Sequence, residues 1–339
     1  MSNWNQLTPS RREMIQRTLD VSGEGATLLQ TYINRTIQQL TIRELGLSAV
    51  IPRKAGQGDK EYINVRTPLG AVSGTTANDG GAWVQDTTSI LAATGTYAQK
   101  SFAYKTLVTR GKVTRKLQAT GRSYGDILAM ELQSKAEDFN QVLENSFING
   151  DTARGGNHAH ECLGYLTLLT SYLGVNQMNT MQPNAVPVAM TLNKLDETID
   201  MVKGSANRSD LMIVCSRSGH RELNKLLQSN QQFNDVVEVA AGFRVRSYDG
   251  VPIIQSTEVS DDYLMHSNGT SIGAYTGGTS TAMFVINKRY AYVSELTPTT
   301  VMPLAKTDSQ FDQFDMFWDG APVLSNVYGG AVLMNIAMS

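Results

Sequence analysis

Residues 123–149, SYGDILAMELQSKAEDFNQVLENSFIN, decide the fold, because they predict one long amphipathic helix. Steps of three and four residues place one apolar stripe on a single helix face. The stripe consists of Leu128, Leu132, Ala136, Phe139, Leu143 and Phe147. We expect Ser123 to cap the first turn, with Asp126 three residues on, and Gly150 to close the last turn in the left-handed conformation. The outer face carries Glu131, Lys135, Asp138, Asn140 and Glu144. A helix about 40 Å long with one apolar stripe needs a sheet or another subunit along it.

Composition predicts a protein with a sizeable core. Its 339 residues are 41% hydrophobic and 18% charged, and the net charge is −2. Cys162 and Cys215 are the only cysteines, which is typical of a reducing compartment. The N-terminal sequence lacks the apolar core of a signal peptide, and no run of about 18 apolar residues predicts a membrane span. We therefore expect a soluble, intracellular protein of two or more structural units, in which any nucleic-acid contact is local.

Charge is divided unevenly along the chain. Residues 97–122 contain seven Lys or Arg and no Asp or Glu, whereas residues 249–339 contain nine acidic and three basic residues. One interpretation is two solvated faces. The other is that a basic element of one copy lies on an acidic element of the next, which favours a homo-oligomer.

The first third of the chain predicts extended structure. Residues 1–60 predict an N-terminal arm with short helices over 11–20 and 26–45. Residues 61–117 alternate apolar and polar side chains on both sides of a tract rich in Gly, Ala and Thr, which predicts an extended two-stranded loop. Trp83 is the one large anchor in that tract. Since an isolated hairpin cannot bury enough surface to be stable alone, we expect the loop to lie on something else, such as another subunit.

The rest of the chain predicts a body interrupted by an α/β unit. Residues 118–180 contain the long helix, and residues 181–297 predict a compact α/β domain. That domain holds an amphipathic helix in TLNKLDETIDMVKG, a buried strand DLMIVCS, a helix from near Ser218, a hairpin turning at Asp249-Gly250, and a strand pair in TAMFVINKRYAYVSE. Residues 298–339 alternate again, and we expect their strands to cover the stripe of the long helix.

The segment CSRSGHR offers an enzyme as the alternative. A strand that ends at Cys215, with Arg221 at a helix start, matches the spacing of a cysteine phosphatase, where loop amides and an arginine hold phosphate. The match is incomplete, because Val214 replaces a histidine, Ser218 stands at a glycine position and Glu222 replaces a hydroxyl residue. We favour a buried core cysteine followed by an ordinary helix.

Two further patterns are weak. One loop contains side chains of the types that bind zinc, namely His158, His160, Glu161 and Cys162. A zinc site usually takes a second group of ligands from a distant part of the sequence, and no such group accompanies them, so we interpret the segment as a polar loop. The basic tract 97–122 interleaves aromatic residues, as nucleic-acid-binding surfaces do, but its alternation favours a solvated or partner-facing strand. We therefore expect no catalytic, cofactor or metal site.

Several stretches, in this order, resemble one family. They are AMELQSKAEDFNQVLENSFINGDT followed by LGYL, then DLMIVCSRSGHRELNKLL, YDGVPIIQS, FVINKRYAYVSE and VMPLAKTDSQFDQFDMFWDGAPVLSNVYGGAVLMNI. Their order resembles that of the major capsid proteins of tailed bacteriophages, whose Hong Kong 97-type fold is shared with encapsulins. LGYL is similar to the strand that follows the spine helix in that family.

The resemblance implies an α+β fold and a mechanical function. The parts would be an N-terminal arm (1–60), an extended β-hairpin loop (61–117), a peripheral domain with spine helix and β-sheet (118–180 and 298–339) and an axial α/β domain (181–297). Copies would form hexamers and pentamers of an icosahedral virion shell around double-stranded DNA, assembled in the host cytoplasm. An encapsulin-like compartment is the alternative with the same fold.

The resemblance also implies contacts between copies. The extended loop would lie across a neighbouring subunit, and the interface candidates are Trp83, Lys100, Lys105, Arg110, Arg115, Asp312 and Asp315. The arm is too short to include a long scaffolding segment, so we hypothesise a separate scaffolding protein, beside portal and decoration proteins as possible partners.

Overall fold

The computed structural model describes residues 46–67, 96–120, 126–152, 159–170, 177–181, 187–203, 208–229, 235–240, 243–261, 265–267, 270–273, 280–305 and 310–338. Several predictions lie outside these residues, and they concern the arm helices over 11–20 and 26–45, Trp83, Ser123 and His158.

One long helix dominates the helical part of the fold. The helices are α1 (Leu47–Val50), α2 (Arg115–Thr120), α3 (Ile127–Asn149), α4 (Tyr165–Thr170), α5 (Leu192–Met201) and α6 (Arg217–Ser229). The long helix α3 begins later than the sequence predicted, because Asp126 is its extended N-cap and accepts hydrogen bonds from the amides of Leu128 and Ala129. Within the described part of the chain, no helix is long and apolar enough to cross a membrane.

The apolar stripe of α3 faces the protein core, as predicted. Phe139, Leu143 and Phe147 are each at most 2% exposed, and Leu132 and Ala136 pack at the edge of the same core. The C-terminal half of the helix is therefore the more deeply buried half.

Gly150 ends α3 for a different reason from the one predicted. Its φ is −54°, so the residue is not left-handed. A Cβ atom there would lie 2.3 Å from the carbonyl oxygen of Cys162 and 2.4 Å from that of Ser146. The Gly164 amide also donates a 2.8 Å hydrogen bond to the Gly150 carbonyl. Glycine is needed because two backbone segments approach closely here.

The strands that the structure describes form two main sheets and two small ones. They are β1 (Arg53–Ala55), β2 (Lys60–Thr67), β3 (Thr96–Ala103), β4 (Lys105–Thr114), β5 (Met178–Thr180), β6 (Leu211–Cys215), β7 (Asp235–Ala240), β8 (Phe243–Tyr248), β9 (Val251–Gln255), β10 (Met265–Ser267), β11 (Thr270–Gly273), β12 (Ser280–Asn287), β13 (Ala291–Pro303), β14 (Phe311–Leu324) and β15 (Gly330–Ala337). One main sheet has the order β1-β13-β14-β4, and α3 packs against it.

The predicted two-stranded loop is shorter than expected. Strands β2 and β3 pair antiparallel from Lys60–Ala103 to Thr67–Thr96, which confirms a hairpin. Strand β4 does not belong to it, because β4 pairs with β14 over ten residues in the four-stranded sheet. A single residue, Tyr104, separates β3 from β4. The alternation of the two strands is continuous, so the sequence pattern could not show that the chain changes sheets.

Two other local predictions were wrong. TAMFVINKRYAYVSE is not a strand pair, because β12 pairs with β6 and β15 whereas β13 pairs with β1 and β14. LGYL does not form a strand, because α4 begins at Tyr165. The hairpin turn at Asp249-Gly250 is confirmed, with φ of 48° and 74° at its two residues.

The second main sheet separates two hydrophobic cores. Its order is β5-β15-β12-β6-β9-β8-β7, and β12 and β6 are buried along their whole length. One face, with Phe284 and Val332, joins the core of α3 and the four-stranded sheet. The other face, with Ile213 and Leu333, packs against α5 and α6. The predicted α/β unit therefore shares its sheet with the body, and β15, predicted to cover α3 with the other return strands, belongs to this sheet.

Candidate subunit interface

The hairpin β2–β3 has one exposed face and one face turned to the body. Tyr62 lies opposite Ser101 and Tyr97 lies opposite Arg66, so both tyrosines share a face. Tyr62 is 50% exposed and Tyr97 is 70% exposed. On the other face Phe102 is 2% exposed and belongs to the core. The hairpin thus has two exposed aromatic rings on one face, which makes that face a candidate contact surface.

A cluster of hydroxyl groups holds the base of the hairpin through Glu61. One carboxylate oxygen, Oε2, accepts from the Tyr104 hydroxyl at 3.0 Å and from Ser294 Oγ at 3.2 Å. The other oxygen, Oε1, accepts from the Tyr292 hydroxyl at 3.2 Å. Lys54 places its ammonium group 3.7 Å from the centre of the Tyr292 ring. Glu61 thereby connects the hairpin to β13.

Both tyrosines of this cluster remain hydrogen-bond donors. Burial, with a contribution from the Glu61 carboxylate, raises the pKa of Tyr292 to about 12. Burial also raises the pKa of Tyr104, and the hydrogen bond from Ser294 lowers it by less. The sequence reasoning missed Glu61, although a signal was present: it has the same strand parity as Ile63 and Val65, the inward side chains of EYINVRTP.

The predicted charge complementarity occurs within one chain for two of the candidates. Arg110 of β4 lies directly opposite Asp315 of β14. Its Nε is 2.6 Å from Oδ1 and its terminal nitrogen is 2.8 Å from Oδ2, a bidentate pair. The guanidinium group lowers the pKa of Asp315. Parts of the basic and acidic tracts are thus neighbouring strands of one sheet, and Arg110 has an acidic partner in its own chain. A contact of Arg110 with an adjacent copy stays a prediction.

The other candidates differ in their surroundings. Asp312 accepts a 2.9 Å hydrogen bond from Gln118 Nε2 of the same chain. Lys100 and Lys105 are half-buried, and Arg115 is exposed at the start of α2. The structure brings Arg110 and Asp315 together but does not gather these residues into one cluster.

Glu144 is buried rather than on the outer face of the long helix as predicted. Its side chain is 0% exposed. Oε1 accepts from the Leu47 amide at 2.9 Å and from Ser256 Oγ at 2.8 Å, and Oε2 accepts from the Ser48 amide at 2.7 Å. The carboxylate therefore fixes α1, where the described chain begins, to the long helix and to the segment after β9.

The four-stranded sheet exposes apolar side chains near its outer edge. Leu296, Val301 and Met302 of β13 are 47%, 42% and 52% exposed, and Val108 of β4 is 53% exposed. Val108 lies opposite the half-buried Phe317 of β14. These side chains make the sheet a second candidate contact surface.

Cys215 does not have the surroundings of a phosphatase nucleophile. Its thiol is fully buried at the end of β6, and burial raises its pKa to about 12, whereas a nucleophilic cysteine needs a lowered pKa. The following helix is capped by Ser216, whose Oγ accepts from the Gly219 amide at 3.1 Å. Arg221 lies one turn into that helix and is exposed.

The loop with zinc-type side chains, interpreted above as a polar loop, is only partly described. Cys162 is 4% exposed, and burial raises its pKa to about 11. His160 is exposed. Within the described ranges, no three His, Cys, Asp or Glu side chains come together as metal ligands.

Comparison with known proteins gives one family and many similar folds. The sequence model of the SU10 major capsid protein family matches residues 107–337. The fold is similar to the SrpI encapsulin of Synechococcus elongatus PCC 7942, with a TM-score of 0.64, 14% identity and coverage of 94% of this chain and 95% of that chain. It is also similar to the capsid of the empty GTA particle, with a TM-score of 0.64, 16% identity and coverage of 94% of this chain and 98% of that chain. The capsid of Myoviridae phage XM1 has a TM-score of 0.59, 14% identity and coverage of 90% of this chain and 97% of that chain. No curated protein matches the sequence.

Proposed function

Because this chain belongs to the SU10 major capsid protein family and is a capsid shell protein built to assemble from many copies of itself, we propose that the copies form the hexamers and pentamers of an icosahedral shell around double-stranded DNA. Its fold is the Hong Kong 97-type capsid fold. An encapsulin shares that fold at 14% identity, so the family match makes the capsid the stronger conclusion.

The observation that carries the proposal is the hairpin β2–β3. It exposes Tyr62 and Tyr97 on one face while its base is fixed to the core by Phe102. Exposed tyrosines supply large, rigid contact areas at protein interfaces. We place this face against a second copy of the chain, and many weak contacts of this kind add up in a closed shell.

The charged candidates take different parts in this contact. Lys105 and Arg115, together with Trp83, are our proposed further contacts with the neighbour. Lys100 lies opposite Ile63 on the inward face of the hairpin, so any contact that it makes lies away from the two tyrosines. Arg110 and Asp315 contribute as a neutral pair, since each already has its partner within the same copy. Asp312 is likewise engaged by Gln118.

The role is mechanical rather than enzymatic, in the virion and after assembly in the host cytoplasm. The DNA inside would be held without sequence readout, which suits a chain whose net charge is only −2. A separate scaffolding protein would direct the shell size, and portal and decoration proteins would join it.

Electron microscopy of the purified chain, alone and with candidate scaffolding proteins, tests the proposal. We expect closed shells, or rings of five and six subunits. The variant with both Tyr62→Ser and Tyr97→Ser should stay unassembled at an unchanged melting temperature, whereas Tyr328→Ser, an exposed tyrosine outside the hairpin, should assemble normally. A monomer or dimer under every condition would overturn the shell, and normal assembly of the double variant would remove the hairpin face from the contact.

A further inference from the structure

The hairpin is joined to the body by two short connections. Residues 56–59 lead into β2, and Tyr104 alone leads out of β3. Strands β2 and β3 pair only with each other among the described strands. Because no ladder of backbone hydrogen bonds continues from the hairpin into the four-stranded sheet, side chains must set the angle at which it projects.

Two side chains on one rung of the hairpin do this in different ways. Glu61 and Phe102 lie directly opposite each other, so they share the inward face. Phe102 is buried in the core, and hydrophobic burial holds the hairpin without fixing a direction. Glu61 instead makes hydrogen bonds, which require defined distances and angles.

The partners of Glu61 come from both sides of the junction. Tyr104 belongs to the connection, whereas Tyr292 and Ser294 belong to β13 of the body. The Tyr104 hydroxyl and Ser294 Oγ also lie 3.0 Å apart, so Ser294 has two acceptors, Glu61 and Tyr104, within reach of its one proton. One carboxylate thus ties the hairpin, its connection and the sheet into a single network.

Gly56 shows how closely this network is enclosed. A Cβ atom at Gly56 would lie 2.3 Å from the Tyr104 hydroxyl oxygen and 2.8 Å from Ser294 Oγ. The Gly56 amide is held by a 2.8 Å hydrogen bond to the Glu295 carbonyl, so the backbone cannot easily move away. The incoming connection therefore covers the hydroxyl groups that Glu61 binds.

We propose that Glu61 is a positioning residue for shell assembly, which fixes the direction of the hairpin through Tyr104, Tyr292 and Ser294. The inference rests on the proposed function, because the direction matters when the hairpin meets a second copy. Loss of the network would leave the hairpin attached by Phe102 but free to swing.

The experiment measures the direction of the hairpin in the unassembled subunit. Spin labels are attached to cysteines introduced by Asn64→Cys on the hairpin and Asp138→Cys on α3, both exposed positions. Pulsed electron paramagnetic resonance then gives the distribution of distances between the two labels. The native cysteines are buried and will not take the label in the folded protein. The perturbing variants are Glu61→Ala, Gly56→Ala and the pair Tyr104→Phe with Tyr292→Phe. Asp59→Asn, an exposed acid in the same connection, is the control.

We expect the perturbing variants to broaden the distance distribution at least twofold, while the control keeps the width of the parent protein. In electron micrographs the same variants should give irregular particles or none. Parent-like width in Glu61→Ala and in the tyrosine pair would overturn the inference. If Glu61→Ala does not fold, the tyrosine pair decides alone. Because the distance is measured on single subunits, it decides the role of Glu61 even if the parent chain forms no shell.

Discussion

Phe147 of α3 and Trp318 of β14 meet edge to face, with ring centroids 5.5 Å apart and ring planes at 63°. Both rings are at most 2% exposed, and the indole nitrogen of Trp318 donates a 2.8 Å hydrogen bond to Glu295. This pair is one of the contacts by which the long helix packs on the four-stranded sheet.

Phe147→Ala should lower the free energy of unfolding by about 3–5 kcal/mol, because it removes a buried ring and leaves a cavity beside Trp318. Urea denaturation of the unassembled subunit measures the change. Val142→Ala, on the exposed side of the same helix, should cost less than about 0.5 kcal/mol. Equal losses of the free energy of unfolding in the two variants would contradict the orientation of α3, with Phe147 buried and Val142 exposed.

Glu144→Ala should destabilise the subunit by about 3 kcal/mol, since it leaves two amides and one hydroxyl group without their charged acceptor. Hydrogen exchange should accelerate at Leu47 and Ser48 more than in β6. Asp138→Asn, an exposed carboxylate on the same helix, is the control and should change neither quantity. Unchanged exchange at α1 would contradict the anchoring role.

Gly164→Ala should prevent stable folding, because its Cβ atom would lie 2.5 Å from the backbone nitrogen of Gly150. Gly219→Ala in α6 should be neutral or stabilising by up to about 1 kcal/mol, since the nearest atom is the mobile end of Met283 at 3.2 Å and alanine favours the helix. Soluble yield and melting temperature distinguish the two variants. A well-folded Gly164→Ala protein would refute the close backbone approach.

The buried thiol of Cys215 predicts a loss of stability in alkali. Burial raises its pKa from 9.0 to about 12 in the folded state. The contribution of this thiol to the free energy of unfolding is fully present below pH 9 and is lost as the pH rises toward the pKa of the folded state. The loss is about 1.4 kcal/mol per pH unit, because only the unfolded thiol ionises in that window. Denaturation at a series of pH values gives the free energy of unfolding. Between pH 8 and 11 this free energy should fall more steeply with pH for the parent protein than for Cys215→Ala. Parallel curves would contradict the raised pKa.

The pair between Arg110 and Asp315 predicts a small, salt-sensitive effect in single subunits. Arg110→Asp should lower the melting temperature slightly, and adding Asp315→Arg should restore it, since both side chains belong to one chain. The lowered pKa of Asp315 means that its contribution is present at neutral pH and is lost as the pH falls below its ordinary value of 3.8. An effect seen only in assembled particles would favour pairing between copies instead.

The sequence predicted what depends on local periodicity. The stripe ending at Phe147 and the turn at Asp249-Gly250 follow from patterns of a few residues, and both were confirmed.

Glu144 was misplaced because a polar residue beside the stripe was assigned to the solvent, although a carboxylate can be buried when distant amides meet it. The pairing of β12 and β13 was wrong because neighbours in the chain can belong to different sheets, which periodicity does not report. Glu61 was missed because its partners Tyr104 and Tyr292 are remote in sequence.

The position of β15 in the seven-stranded sheet determines when the subunit can complete its folding during synthesis. It lies between β5 and β12, and the ribosome synthesises it after both of them. The seven-stranded sheet stays split at that gap until residues 330–337 have emerged, and both cores remain incomplete until then because each takes side chains from β15. A nascent chain therefore cannot offer a finished subunit to its neighbours early. We therefore expect copies that lack this strand to be poor building blocks of a shell, since both of their cores would be incomplete.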